Sequence, residues 1–515
     1  MAPSGSSNAF TPYFLFLLLT ATTGPLLFGY HLAELNAPSE VITCAKDSIT
    51  LASVKARLGW GTQASPLGAL PQCIPMNATQ FGLVSSFFTL GGLIGALAAG
   101  PLTAKNGRVR GMLYAALCAT VGPVFEALAP NVGTMAAGRL IAGLGAGGAM
   151  VVVPIYIFDI APPGRKGFFG SFTQVMVNVG ILITQVLGYF LSRGQLWRII
   201  LAVGGVIALA QTAGLLLGGQ ESPKYLADQG KPSRAKVVLQ KIRGANVDIA
   251  EEVAAWRQVD STLLDEEETL LAHPDGAPNS SDQTDTSTPR VPTAGTARKT
   301  LSVFQVLRDP ETRPAILAIT MVMMCQQFTG INSIVMYGVS LLSSLLESNS
   351  ALLNIFVSLL NVIVTISAAP LVEKLGRKTC LLMSISGMGT MSILLAVGIM
   401  RSIPALSAVA VVVFVSSFGF GLGPIPFILP SEFVASNAVG AVQSWALAVN
   451  WISTFIVAQF FPIINERMGK GQVYFIFAAM ALVFGLFIAW YVPESKDKTD
   501  PDEVWGRKKN RREVD

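Results

Sequence analysis

The feature that most constrains this chain is a run of about twelve apolar blocks, each close to the length of a membrane-crossing helix. A bilayer core asks for about 20 apolar residues per helix. The blocks lie at approximately 13–36, 80–101, 111–129, 134–158, 170–191, 198–219, 314–339, 351–371, 380–400, 405–430, 439–462 and 472–492. Only 13% of the 515 residues are charged, against roughly 25% in soluble globular chains. That density excludes a soluble enzyme and a disordered chain. The expected fold class is an all-α membrane protein with twelve transmembrane helices. The first block, Phe14 to Leu35, is too long for a cleavable signal, with neither preceding Lys or Arg nor a small-residue cleavage pattern after it.

Charge sets the orientation. An even number of spans puts both termini on one side. With that side cytosolic, the opposite side holds Lys46, Lys55, Arg57, Arg193, Arg198, Arg401, Arg467 and Lys470 out of 36 Lys and Arg in all. The cytosolic segments hold nearly all the rest, including Lys105, Arg108, Arg110, Arg165, Lys166, Lys374, Arg377 and Lys378. Cationic loops face the cytosol, so both termini are expected there.

The chain repeats itself. Leu102–Arg110 (LTAKNGRVR) returns as Leu371–Lys378 (LVEKLGRK), Glu221-Ser-Pro-Lys224 as Glu494-Ser-Lys496, and Asp159 as Glu432, each about 270 residues on. Two parallel six-helix halves follow, in pseudo-symmetric bundles, with a ligand site expected between them near mid-membrane. The expected organisation is a first bundle over 1–219 with a long non-cytosolic loop at 37–79. A cytosolic central loop at 220–313, a second bundle over 314–492 and a basic tail at 493–515 complete it. Within the central loop, Ser233–Gly244 has the periodicity of an amphipathic helix. Residues 265–300 are rich in Asp, Glu, Ser, Thr and Pro and are expected to be disordered.

No catalytic constellation stands out. The only His are His31 and His273, and Cys-x-x-Cys, His-Glu-x-x-His and P-loop motifs are missing. No cofactor and no metal is implied. The Gly143–Gly148 run lies inside an apolar span and follows no soluble strand, so it is expected to let helices approach closely.

The informative residues are polar ones inside the spans. Burying an amide in lipid costs several kcal/mol unless it pairs or faces a cavity. The seventh span carries Gln326, Gln327 and Asn332, the eighth Asn361, the eleventh Asn450 beside Trp451, and the fifth Gln174, Asn178 and Gln185. Amides both donate and accept, which suits a neutral polyhydroxylated ligand. Neighbouring Trp and Phe would offer its ring an apolar face. Hydrogen bonding between helices is the alternative use for each amide taken singly.

Several motifs together resemble the sugar porter family of the major facilitator superfamily, across nearly the whole chain. They are Phe28–Pro38 (FGYHLAELNAP), Gly138-Arg139, Pro154–Asp159 (PIYIFD), Glu221–Tyr225, Gln326–Asn332 (QQFTGIN), Gly423–Phe427 (GPIPF) and Pro493–Lys496. The resemblance implies transport of a hexose, glucose foremost, by alternating access, either as a facilitator or as a proton symporter. It places Gln174, Gln326, Gln327, Asn332, Asn361 and Asn450 where family members hydrogen-bond a hexose, and Phe427 where a Trp usually lines the inner path. With Gln185 and Trp451 these form the candidate substrate site. The family's glucose transporters usually have an acidic residue where Gly419 stands, and an Arg where Val439 stands. The resemblance also implies a cytosolic charge network that gates the two halves. Its members here are Arg108, Asp159, Lys166, Glu221 and Lys224 in the first half and Glu373, Arg377, Glu432 and Glu494 in the second, with Lys166 where an Arg is usual.

Proton-coupled relatives carry Asp at the position of His31, facing the Arg of the Gly-Arg motif, here Arg139. Glu34 lies three residues on, on the same helical face. His31, Glu34 and Arg139 are therefore candidates for proton coupling, with a neutral polar His31 in a facilitator as the alternative. A solute other than hexose, such as a polyol or a secondary metabolite, is the nearest rival substrate. A sugar sensor that binds without transporting is a rival of another class. Such sensors carry long cytosolic tails, and about twenty residues follow Glu494.

Cys44 and Cys73 share the first non-cytosolic loop, where a disulfide is permitted, while Cys118, Cys325 and Cys380 fall in or beside spans and are expected to be reduced. Asn77-Ala-Thr79 is a glycosylation sequon on the same side. Asn279-Ser-Ser281 also fits the pattern but is expected to face the cytosol unmodified. The basic tail Arg507–Arg512 suits anionic lipid rather than nucleic acid. Glu266–Leu271 (EEETLL) resembles an acidic dileucine sorting signal, and the His-Leu-Ala-Glu-Leu-Asn signature resembles a fungal, vacuole-associated branch of the family. Both tilt the expected location toward the vacuolar or endosomal membrane.

Overall fold

The computed structural model describes residues 11–45, 70–162, 165–245, 247–254, 303–346, 349–435, 438–469, 471–496, 498 and 501–507. The acidic stretch 265–300, the Glu266–Leu271 signal, Asn279 and most of the basic tail lie outside them. The first half consists of α1 (Pro12–Ala33), α2 (Ala78–Asn106), α3 (Arg108–Ala127), α4 (Val132–Ile160), α5 (Lys166–Leu191) and α6 (Trp197–Gly218). The second half consists of α7 (Arg313–Phe328), α8 (Ile331–Leu346), α9 (Asn349–Leu375), α10 (Arg377–Met400), α11 (Pro404–Phe420), α12 (Ile425–Phe433), α13 (Val439–Met468) and α14 (Val473–Tyr491).

Each of the twelve apolar spans is helical, with one correction to their continuity. The seventh and tenth are each broken in two, as α7–α8 and α11–α12. Among the described residues, eleven spans are long and apolar enough to cross a membrane. The twelfth, α3, carries Arg108, Arg110 and Glu126 within its twenty residues and is the least apolar. It is nonetheless packed along α4 and α6. Leu117, Val121, Leu209, Leu216, Leu482 and Trp490 point outward and stay exposed, the surface expected of a chain solvated by lipid.

Side chains at the helix starts satisfy otherwise unpaired N–H groups. Thr11 Oγ1 accepts from Phe14 N and Asn131 Oδ1 from Thr134 N. Asn77 and Gln80 form a reciprocal capping box at the start of α2. Asn77 is exposed, and its cap uses Oδ1 rather than the nitrogen that a glycan would take. Between α2 and α4 the backbones nearly touch. A Cβ on Gly91 or Gly95 would lie 2.1 or 2.2 Å from the Leu140 or Leu144 carbonyl, and one on Gly143 2.1 Å from that of Phe88. The glycine run is thus a packing surface.

Cys44 and Cys73 are joined in a disulfide at one end of the bundle, called here the disulfide end. Cys118, Cys325 and Cys380 are free. The central loop contributes a helix over Pro232–Arg243 that buries Ala235, Val238, Leu239 and Ile242 and turns Arg234, Lys236 and Lys241 outward. Arg243 turns inward, donates to the Ile160 and Ala161 carbonyls and pairs with Glu252 at 2.8 Å.

The repeated charged motifs lie at the opposite end and build the same staple twice. Glu221 accepts from the backbone N–H groups of Arg108 (2.7 Å) and Val109 (3.3 Å), and so caps α3. Glu494 accepts from Arg377 N (2.8 Å) and Lys378 N (3.1 Å), and so caps α10. A carboxylate is favoured at a helix N-terminus, where unpaired N–H groups concentrate positive charge. Arg108 Nε lies 3.5 Å from Asp159, which accepts from Ser222 Oγ. Arg377 lies 3.0 Å from Glu432, which accepts from Ser495 Oγ.

Each staple is confined to its own half. Among the described residues no ion pair crosses between halves, and the charge network links helices within each half. Lys224 is exposed on the outer side of the short helix Pro223–Asp228 and joins no ion pair among the described residues. The Lys166 and Glu373 side chains lie outside the described residues.

Glycine is required at the caps. Gly107 and Gly376 have φ of +95° and +94°, with ψ of 166° and 158°, a region that costs other residues about 1–3 kcal/mol. A Cβ on Gly376 would also sit 2.6 Å from Glu494 Oε2. Gly376→Ala is expected to lower the thermal unfolding midpoint in detergent. Gly440→Ala, in a helical site with open space around it, is expected to leave the midpoint unchanged or raise it.

Candidate functional site

Between the halves lies a cavity built from both. The first half supplies Phe28 and Leu32 of α1, Met150 of α4, and Gln174, Val177, Asn178 and Ile181 of α5. The second supplies Gln326, Gln327, Ile331, Asn332, Val335, Asn361, Phe418, Phe427, Leu447, Asn450, Trp451 and Thr454. A second groove, between α10 and α14, is lined almost wholly by apolar residues such as Leu382, Ile385, Phe475 and Leu482.

The two broken spans shape the cavity wall. The seventh breaks at Gly330, where φ is +93° and a Cβ would lie 2.4 Å from the Phe477 ring. The tenth breaks over Gly421–Pro424, which frees the carbonyls of Leu422 and Gly423. Gln326 Nε2 donates to both, at 2.6 and 3.2 Å. Gln326 Oε1 accepts from Asn450 Nδ2 (2.5 Å) and Gln327 Nε2 (3.2 Å). Gln327 Oε1 accepts from Asn332 Nδ2 at 2.6 Å. One chain of amides thus runs from the break in the tenth span, through the seventh, to α13.

A second amide group joins the halves. Asn178 Nδ2 donates to Thr365 Oγ1 at 2.8 Å, and Asn178 Oδ1 accepts from Asn361 Nδ2 (3.3 Å) and Gln174 Nε2 (3.4 Å). Asn361 Oδ1 is buried with no hydrogen-bond partner. It lies beside Gly419, where a Cβ would come within 2.5 Å of it. A side chain at 419 would occupy the space that this amide uses.

Of the candidate substrate residues, Gln174, Gln326, Gln327, Asn332, Asn361, Phe427, Asn450 and Trp451 line this cavity. Gln185 does not. It shares a helix face with Gln174 but lies three turns nearer the disulfide end, buried, with Oε1 unpaired. Trp451 packs edge-on against Phe28 (5.4 Å) and Phe88 (6.0 Å) and covers Gly92, where a Cβ would meet its ring at 2.3 Å.

His31, Glu34 and Arg139 meet as expected and are fully buried or nearly so. Arg139 Nη1 donates to Glu34 Oε1 (2.5 Å) and to the His31 carbonyl (2.6 Å). His31 Nδ1 lies 3.1 Å from both Glu34 oxygens. The guanidinium rests over Phe88, 4.6 Å from the ring centre, so one aromatic side chain separates this cluster from Trp451. A fourth buried member, Glu126 of α3, escaped the sequence reading. Its place at a span end made it resemble a loop charge.

At the disulfide end the halves are clasped. Asn36 Oδ1 accepts from Val339 N of α8 at 2.9 Å, and Ser86 Oγ donates to Gln459 Oε1 at 2.9 Å. Tyr337 of α8 packs against Phe81 of α2.

Residues 17–500 match the family model described as sugar (and other) transporter. The chain belongs to that family. It is 33% identical over 510 residues to the probable metabolite transport protein YBR241C of Saccharomyces cerevisiae, covering 98% of each chain. It is 31% identical to the vacuolar protein sorting-associated protein 73 of the same yeast, covering 96% of each. It is 30% identical to the facilitated glucose transporter member 2 of solute carrier family 2 from Sus scrofa, covering 96% of this chain and 94% of that one. The xylose transporter XylE from E. coli, in a partially occluded inward-open conformation, superposes with a TM-score of 0.71 at 22% identity. That match covers 95% of this chain and all of XylE. The fold is therefore the major facilitator fold, and the protein is a multi-pass membrane transporter, not an enzyme.

Gln326→Leu removes the donor to two buried carbonyls and the acceptor for Asn450. Each buried polar group left unpaired costs about 1–3 kcal/mol. The variant is expected to unfold at a clearly lower temperature in detergent, whereas Gln174→Leu, which loses one 3.4 Å contact, is expected to change little.

Proposed function

We propose that this transporter carries a hexose, glucose foremost, through the amide-lined cavity by alternating access between its halves. The observation that carries this is the amide set Gln174, Gln326, Gln327, Asn332, Asn361 and Asn450 on one cavity with Trp451 and Phe427. Amide groups offer donors and acceptors in a neutral setting, the match for a ring of hydroxyls. The aromatic faces suit the C–H surface of a pyranose. Asn361 Oδ1, buried without a partner, is an acceptor for an incoming hydroxyl. The glucose transporter name of one relative supports the same substrate class. The space beside Gly419 and the Phe in place of Trp at 427 favour tolerance of other hydroxylated solutes.

The titratable cluster of His31, Glu34 and Arg139 supports proton symport, and a facilitator in which His31 stays a neutral polar side chain is the alternative. The positive bias of the charged end supports a cytosolic position for it and for both termini. The acidic dileucine, together with a relative whose name is tied to vacuolar sorting, favours a vacuolar or endosomal membrane.

Purified protein in proteoliposomes is expected to take up radiolabelled glucose, and an inward proton gradient is expected to drive accumulation above equilibrium. Asn361→Ala is expected to raise KM about tenfold, the equivalent of one hydrogen bond of about 1.4 kcal/mol, with little change in thermal midpoint. Entry that only equilibrates would mean a facilitator. Loss of all glucose entry in folded protein, with polyol entry retained, would replace the substrate.

A further inference from the structure

An asparagine in the middle of a lipid-solvated span needs partners for its amide N–H groups and its oxygen. Asn178 of α5 is 2% exposed and finds partners in the opposite half. Its Nδ2 donates to Thr365 Oγ1 at 2.8 Å, and its Oδ1 accepts from Asn361 Nδ2 at 3.3 Å. Asn361 and Thr365 lie one turn apart on α9 and so share a face. Their oxygens converge on one spot. A Cβ on Gly419 of α11 would lie 2.5 Å from Asn361 Oδ1 and 3.3 Å from Thr365 Oγ1. The place of this bridge sets it apart. The Asn36–Val339 and Ser86–Gln459 bonds clasp the disulfide end, whereas Asn178 and Asn361 both line the cavity.

The bridge is unevenly made. Its bond to Thr365 falls inside the usual N–H···O range of about 2.7–3.2 Å. The bonds to Asn178 Oδ1 from Asn361 (3.3 Å) and Gln174 (3.4 Å) are longer. Asn361 Oδ1 is buried and has no partner at all. What Asn178 offers to α9 is one donor and one acceptor held side by side on a single carbon. Two neighbouring hydroxyls on a ring offer the same pair, and each of them can both donate and accept. Between them they can take Thr365 Oγ1 and Asn361 Nδ2 and also donate to Asn361 Oδ1, which the Asn178 amide leaves unserved. Replacing the bridge with such a pair exchanges two bonds for three.

We propose that Asn178 stands in for the solute in the empty transporter, and that a pair of adjacent hydroxyls on the solute displaces it. Without solute, the amide holds α5 to α9 across the middle of the membrane. An entering solute takes over both α9 partners, and Asn178 Oδ1 keeps its contact with Gln174. The halves are then tied through the solute rather than to each other. Asn178 is in this sense a built-in competitor, and it raises the solute concentration needed to fill the cavity. It also selects, because a solute with only isolated hydroxyls replaces one bond of the bridge and forfeits the other. The proposal rests on the reading that a hydroxylated solute enters this cavity.

Calorimetric titration of the purified protein tests it. Asn178→Leu leaves the α9 groups free for the solute and is expected to bind glucose about fivefold more tightly than the wild type, the equivalent of about one net hydrogen bond. Asn178→Ala takes its place if the leucine variant fails to fold. Among monodeoxy glucoses, the two that bind the wild type most weakly should lack neighbouring hydroxyls. In solute-free protein, Asn178→Leu and Thr365→Val should each lower the thermal midpoint, and the double variant should lower it by less than the sum, since both remove the same bond. Unchanged or weaker glucose binding by the folded variant, weakest analogues that lack non-adjacent hydroxyls, or additive midpoint shifts would overturn the proposal. A wild type that binds no glucose counts against the hexose, and myo-inositol, a polyol with adjacent hydroxyls all round its ring, then carries the same comparison. Protein that binds neither overturns the stand-in as well.

Discussion

The Gln326 amide is the interaction on which the second half depends. A span broken inside a bilayer leaves backbone groups without partners, and lipid offers none. The tenth span breaks over Gly421–Pro424, and the two carbonyls it frees both find Gln326 Nε2. The oxygen of the same amide gathers Asn450 and Gln327. The seventh span can itself break at Gly330 because it lies against this network. The polar wall of the cavity is thus a consequence of how the broken backbone is satisfied, and substrate chemistry is layered onto a structural need.

The halves share a fold but solve the burial of polarity differently. The second concentrates neutral amides at its breaks. The first keeps its helices continuous, draws α2 and α4 together on glycines, and places its buried polarity in the ionic cluster around Arg139. Phe88 lies between that cluster and Trp451, with the guanidinium on one side and the indole edge on the other. A shift of Arg139 therefore has a short packed route to the cavity wall.

Much of this was legible in the sequence. The twelve spans follow from hydropathy, because a lipid solvent leaves few alternatives. The repeat was legible because charged motifs are sparse in a chain that is only 13% charged and therefore stand out. The amides of the cavity were legible for the same reason. The breaks at Gly330 and Gly421 were not, since a broken and an unbroken span have the same hydropathy. Gln185 shares a helix face with Gln174, but periodicity reports face and not depth, and depth takes it out of the cavity. Glu126 stands at a span end, where a solvated charge is ordinary, and only Arg139 from another helix makes it buried and informative. Lys224 illustrates the converse, a charge inside a charged motif that the short helix turns toward solvent.

The distribution of bond types gives the halves their freedom. Within each half, carboxylates cap helices and meet arginines, and breaking such contacts costs several kcal/mol once they are partly buried. Between halves, the bonds among the described residues are neutral. They are Asn36 to Val339, Ser86 to Gln459, and Asn178 to Thr365 and Asn361. Each contributes about 0.5–1.5 kcal/mol net, and each can be exchanged for water or a ligand hydroxyl. A molecule with strong bonds inside its halves and exchangeable ones between them moves as two rigid bodies whose alternative arrangements differ by only a few kcal/mol. A neutral polar solute that exchanges hydrogen bonds with these amides is then enough to bias which arrangement prevails.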